Sequence, residues 1–401
     1  MKLLRTLSLP KLIALSVAVV AVAIAGTALA MAARGNGPTP PQKPLAQAIH
    51  DSLAAPEPSG ITARVKFTNK LFPTGALEGK VGSALMSGAD GRLWLTNEGR
   101  GRLELQSDAG DVQIVWNEKR VSIFDASSNT VYTHDLPQHK AGKGHESKSA
   151  RTAPSIREIG DFLAKVGKRA NVSAAHPTNV GGRPAYSVSV SPRHDGGLLG
   201  SLRLAWDAAH GVPLRLAVYA HGASTPVLAL EATDISYGAV PAADVEVTPP
   251  ASAKRSSLGS IGSARKERGR TERGHERAKS NVSGLSAVKA AAGFQVVAPD
   301  TLVGLPRKTV QLVGGRDSKT VLVVYGQGLG AIVIAEHPAG SPSAGQEPLA
   351  SLPSVSLDGA TGHELATQLG TVLAWQREGV AYVLAGSMPS AAAEAAARSL
   401  R

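Results

Sequence analysis

Residues 61–68 alternate strictly, with Ile61, Ala63, Val65 and Phe67 interleaved with Thr62, Arg64, Lys66 and Thr68. Successive side chains of a strand point to opposite faces, so a period of two specifies a strand with one buried face and one wetted face. That is the signature of an antiparallel sheet. Further strands are expected at short spacing over Leu93–Thr96, Arg102–Gln106, Val112–Trp116, Arg120–Phe124 and Thr130–Thr133. Turn-forming residues punctuate them: Asn97-Glu98-Gly99, Asp108-Ala109-Gly110, Asn117-Glu118-Lys119 and Ser127-Ser128-Asn129. A second run lies over Ala185–Val190, Ser201–Trp206, Pro213–Tyr219, Pro226–Thr233 and Val245–Val247. Residues 44–250 thus read as an antiparallel meander of about ten or eleven strands.

Two helices break this pattern. Leu45, Ala48, Ile49 and Leu53 make one apolar face over 44–55. After a basic loop at 138–153, Ser155 stands where a cap belongs, ahead of the apolar positions Ile156, Ile159, Phe162, Leu163 and Val166.

The start of the chain sets the compartment. Lys2, Arg5 and Lys11 precede an uncharged stretch from Leu12 to Ala33, an arrangement that sends the downstream chain out of the cytoplasm. The stretch is long enough to remain as a membrane anchor. Small residues at Ala28, Ala30 and Ala32 equally suit cleavage of a signal peptide. Residues 34–43, rich in Pro and Gly, are expected to form a tether.

The net charge is +12, and half of it comes from one segment. Between Lys254 and Lys279 lie nine basic and three acidic residues. The remainder is only mildly basic, which argues against nucleic acid as a partner. Residues 251–284 carry almost no large apolar side chain and cannot offset their conformational entropy, so a basic, disordered linker is expected there. Beyond it, residues 285–401 read as a small α+β domain. VLVVYGQGLGAIVIAEH (321–337) pairs two apolar runs across a Gly-rich turn, and PSAAAEAAARSL closes the chain as a helix.

Three stretches carry a family resemblance: GGRPAYSVSVSP (181–192), LRLAWDAAHGVPLRLAVYAHG (202–222) and LEATDISYGAVPAADVEVTPP (230–250). They resemble the second half of the LolA/RseB-like superfamily. Asp207, Gly211, Pro213, Leu214 and Arg215 match that family's turn before its Pro-Leu-Arg strand. The resemblance spans residues 44–250 and implies an incomplete, curved antiparallel β-barrel with helices across its concave side. It implies an extracytoplasmic role holding lipid or lipoprotein acyl chains, or, as in RseB-type sensors, binding an anti-sigma factor or another membrane-anchored regulator. Residues 370–400 are similar to the end of an extracytoplasmic domain of unassigned function found with anti-sigma factors and LolA-like proteins. The chain has no cysteine, and so lacks the anchoring cysteine of the lipid-binding lipoproteins.

No constellation for catalysis stands out. The eleven histidines are scattered, none in a zinc-protease pattern. Gly326-Gln327-Gly328-Leu329-Gly330 is followed by a strand, so no helix N-terminus faces a phosphate there. A non-enzyme without cofactor or metal is expected, with lipid and the membrane surface among its partners. If the concave side is a cleft, the strand residues expected to line it are Val65, Phe67, Trp94, Leu103, Leu105, Trp116 and Ile123 from the first run. From the second run come Tyr186, Val188, Leu204 and Leu216, and Phe162 comes from the helix above. A register error of one residue would invert any strand's contribution.

Overall fold

The computed structural model describes residues 37–71, 84–136, 153–168, 170–193, 197–257, 282–314, 319–340 and 352–400. The chain separates into two compact units, one made mainly of residues up to 260 and the other mainly of residues 261–401. Both are α+β with open sheets.

The first unit begins with helix α1 (Leu45–Ala54), then β1 (Gly60–Asn69), a single turn α2 (Ala84–Ser87), β2 (Ala89–Thr96), β3 (Gly101–Gln106), β4 (Val112–Trp116), β5 (Arg120–Asp125) and β6 (Thr130–Asp135). Helix α3 (Ile156–Gly167) leads to β7 (Ala170–Val172), β8 (His176–Val180), β9 (Arg183–Pro192), β10 (Leu199–Asp207), β11 (Pro213–Ala220) and β12 (Leu228–Tyr237). A turn of helix, α4 (Ala242–Val245), and a short strand, β13 (Lys254–Ser257), complete it. The strands form one 13-stranded sheet in the order β13-β6-β5-β4-β3-β2-β1-β12-β11-β10-β9-β7, with β8 also on β9. The two halves of the meander therefore join through β1 and β12, and the sheet stays open between β13 and β7.

Register gives the first half two unlike faces. On one, Ile61, Ala63, Val65 and Phe67 lie opposite Leu95, Leu93, Gly91 and Ala89. Leu93 and Gly91 in turn face Leu103 and Leu105. On the other, Arg64 faces Arg92, which faces Glu104. Oil lies on one side and charge on the other, as the alternation requires. A bulge intervenes between β1 and β12: Val65 pairs with Ala232 while Arg64 pairs with Asp234. The extra residue, Thr233, shifts β12 from even to odd inward positions, so Leu230, Ala232, Ile235 and Tyr237 all share the apolar face.

Helix α3 begins with a capping box, in which the Ser155 hydroxyl accepts from Glu158 N and the Glu158 carboxylate accepts from Ser155 N.

Several expectations are corrected. Val245–Val247 is not a strand. Pro241, at φ −59°, starts the helical turn α4, which buries Val245 and gives its Asp244 carbonyl to Arg102. The short strands β7 and β8 were not expected from the sequence, because the apolar residues of 170–180 are few and small and Pro177 interrupts them. Residues 37–43 are no loose tether: Tyr186 Oη donates to Pro41 O (2.7 Å), Asn179 Nδ2 to Pro38 O (3.0 Å) and Gln42 Nε2 to Ala175 O (2.7 Å). A proline-rich segment is already stiff and costs little entropy to dock on an aromatic ring. The expected linker contributes β13, which pairs in parallel with β6. Its residues 258–281, the N-terminal residues 1–36 and the loop at 137–152 lie outside the described residues.

The second unit contains β14 (Val282–Ser283), α5 (Leu285–Ala292), β15 (Thr301–Leu302), β16 (Leu305–Val313), β17 (Thr320–Tyr325), β18 (Ile332–Pro338), β19 (Ser354–Ser356), β20 (Thr361–Thr367), β21 (Gly370–Arg377), β22 (Val380–Gly386) and α6 (Ser390–Ser399). The sheet order is β14-β16-β17-β18-β22-β21-β20-β19, with β15 on β16. The Gly-rich stretch closes the β17–β18 hairpin through a short 3₁₀ turn, Gly328–Gly330. Val288 and Ala292 of α5 and Ala393, Ala396 and Ala397 of α6 pack with Val321, Val323, Ile332, Ile334, Leu373 and Leu384 in one core.

Candidate functional site

Nine of the twelve residues expected to line a cleft fall into three apolar clusters, and Trp94, Trp116 and Phe162 lie outside them. Val65 and Leu105 are buried, with Phe67, Leu103 and Ile123 packed partly exposed against them. Tyr186, Val188 and Leu204 pack with Trp206 beneath Ala48 of α1. Leu216 packs with Val190 and Leu202 beneath Val166 of α3. Two helices therefore roof β9–β11, in keeping with the expected helices on the concave side. Ala205 belongs to the first cluster and its neighbour Trp206 to the second, so strand alternation sends them to different sides.

Trp94 is a correction. It pairs with Thr62 and Arg102 on the charged side, and the Arg102 guanidinium lies 5.0 Å from its ring centre. Its short strand offered two apolar neighbours, Leu93 and Leu95, and only the register with β1 shows that these take the inner side. Trp116 does share the side of Leu103. Its ring covers Gly101, where a Cβ would approach within 2.2 Å, so the glycine makes room for the indole.

One position that sequence reasoning passed over joins the clusters. Leu230 lies between Phe67 of β1 and Leu216 of β11 in a single cross-strand row. It is 36% exposed, between two apolar cross-strand neighbours. The clue was present, since Leu228, Leu230 and Ala232 alternate with Ala229, Glu231 and Thr233. The row leads through Leu216 to Val166 of α3. Along that helix Ile159 and Val166 are buried, while Phe162 of the same stripe is 36% exposed and Ile156 43%. An apolar strip, partly open to solvent, thus runs Phe67–Leu230–Leu216 to α3. On the opposite side of the sheet, Glu231 pairs with Arg215.

The roof is held by the turn that carried the family resemblance. The Asp207 carboxylate accepts from Ala209 N and His210 N, each at 2.8 Å, and from Tyr237 Oη at 2.8 Å. Burial works against its charge, but these hydrogen bonds outweigh it and hold the carboxyl below its ordinary range. Burial, and then the neighbouring carboxylate, pushes the Tyr237 phenol far up. Gly211 has φ +66°, and a Cβ there would approach Ser52 O of α1 within 2.2 Å. Close passage of α1 over this turn thus requires glycine.

Among the described residues no group of three or more His, Cys, Asp or Glu side chains is placed to hold a metal ion, and no helix is long and apolar enough to cross a membrane.

No protein-family model matches the chain, and no curated protein matches its sequence. Solved structures give distant likenesses. The crystal structure of MucB in complex with MucA(peri) is 14% identical with a TM-score of 0.39, over 89% of this chain and 96% of that one. The Pseudomonas aeruginosa MucA/MucB complex is 15% identical with a TM-score of 0.38, over 89% and 95%. An uncharacterized conserved protein from Thermus thermophilus is 12% identical with a TM-score of 0.30, over 53% and 96%.

Proposed function

We propose that this chain is a non-catalytic binding protein of the cell envelope, exposed outside the cytoplasmic membrane, that receives an acyl chain of a lipid or lipoprotein on the strip from Phe67 through Leu230 and Leu216 to α3. The observation that carries this reading is Leu230, an exposed leucine between two apolar cross-strand neighbours beside a helix whose own apolar stripe is partly open. Water penalises such surface by about 25 cal/mol per Å². An acyl chain laid along it would relieve that penalty and add about 0.8 kcal/mol per buried methylene. The basic, apolar N-terminus supports the compartment, whether it anchors the chain or is cleaved near Ala30–Ala32.

The test is native mass spectrometry of the protein purified from a cell envelope, followed by organic extraction. A copurifying lipid near one-to-one, lost in Leu230→Asp while the fold is retained, is the expected result. A mass without lipid that accepts no added phospholipid or lipopeptide would overturn the proposal. A second reading draws on the separate core of the C-terminal unit and on the resemblance of residues 370–400. In it the chain is a sensor for a membrane-anchored regulator, and capture of such a regulator by the lipid-free protein would favour it.

A further inference from the structure

The core of the C-terminal unit contains an acid that no binding role explains. Strand β18 alternates inward through Ile332, Ile334 and Glu336, and all three are buried, with Glu336 wholly removed from solvent. Its cross-strand neighbours are Val321 of β17 and Tyr382 of β22. One carboxyl oxygen, Oε2, accepts from Val297 N at 3.0 Å. Among the described residues Oε1 has no hydrogen-bond partner, and the buried Tyr325 hydroxyl has none either.

Val297 belongs to the stretch 294–300, a strap of irregular chain between α5 and β15 that buries Val296 and Ala298 in the core. Its far end is tied independently, since Arg307 pairs with Asp300 and bonds Ala298 O. Over β18 the Glu336 bond is the strap's polar tie, beside the apolar contacts of Val296 and Ala298.

We propose that Glu336 is a protonation-controlled latch, closing the strap at residues 294–300 over the sheet while its carboxyl is neutral and releasing it when the carboxyl ionises.

A neutral acid is tolerated in this setting. An ionised one would be buried with a single backbone donor, and exposing it by lifting the strap is the available relief. The groups facing it offer little compensation. Tyr325 from β17 and Tyr382 from β22 are neutral phenols, both pushed up to about 12 by burial and then by Glu336 itself. The sheet-facing side of α6 is alanine. The cation that acts on it is Lys289 of α5, which is exposed and has the weakest of the effects. Burial accordingly pushes the Glu336 carboxyl up to about 7. In the lifted state the carboxyl regains its ordinary acidity, so lifting becomes easier as pH rises from the ordinary value through the raised one and levels off above it.

Hydrogen exchange of the whole protein, corrected for the intrinsic rate at each pH, tests this. Opening of residues 294–300 is expected to rise roughly tenfold per pH unit between about pH 5 and pH 7 and then flatten. The amides of Leu373 and Leu384 should stay protected throughout. Glu336→Gln should hold the strap closed at every pH. Lys289→Met, which removes a charge favouring the ionised form, should move the midpoint to higher pH. A flat wild-type profile, a rise that persists in Glu336→Gln, or a midpoint unmoved in Lys289→Met would each overturn the latch. A rise shared equally by Leu373 and Leu384 would do the same, because it would report unfolding of the whole unit.

Discussion

Two buried carboxyls in this chain obey opposite electrostatics. Glu336 has one donor and is driven toward neutrality. Asp207 has several donors and is held ionised. The stability Asp207 contributes is present above the ordinary carboxyl pKa and disappears as pH falls through its lowered native value. Tyr237→Phe removes one of those donors and leaves a carboxylate oxygen less satisfied. The variant should lose about 1–3 kcal/mol at neutral pH. Denaturant titrations at neutral and acid pH should show the gap from wild type narrowing as Asp207 protonates. A gap of constant size would mean that the phenol acts by packing alone.

At the scale of the element, α3 and β12 show how local sequence and neighbours share control. The cap of α3 was readable from Ser155 and the apolar spacing behind it, because a cap acts within one helical turn, and the structure adds Glu158 as the second half of a capping box. Ser155→Ala should destabilise the first unit by about 1 kcal/mol, measured by urea unfolding. The β12 bulge was not readable. Alternation in Leu228, Leu230 and Ala232 is plain, but the odd inward positions Ile235 and Tyr237 make sense only once Thr233 is unpaired against β1. That is a property of two strands far apart in sequence.

Across the whole molecule, each unit has its own apolar core, with Leu105 wholly buried in one and Leu384 in the other. Calorimetry should therefore resolve two transitions. Leu105→Ala should lower one and Leu384→Ala the other, each by about 2–5 kcal/mol of unit stability. Equal shifts of both transitions by either change would show that the units melt as one.

The amino-acid sequence determined the α+β class, most strands of the first unit and both of its principal helices. These arise from periodicity, caps and turn residues, which act over a few neighbouring positions. Only the tertiary structure decided that Trp94 stands on the charged side, that Leu230 bridges Phe67 and Leu216, and that Pro38–Pro41 is docked beside Tyr186. Each depends on pairing register or on a surface assembled from distant segments. A strand carries the same alternation whichever neighbour it meets, so the side that becomes the inside is set when the neighbour arrives.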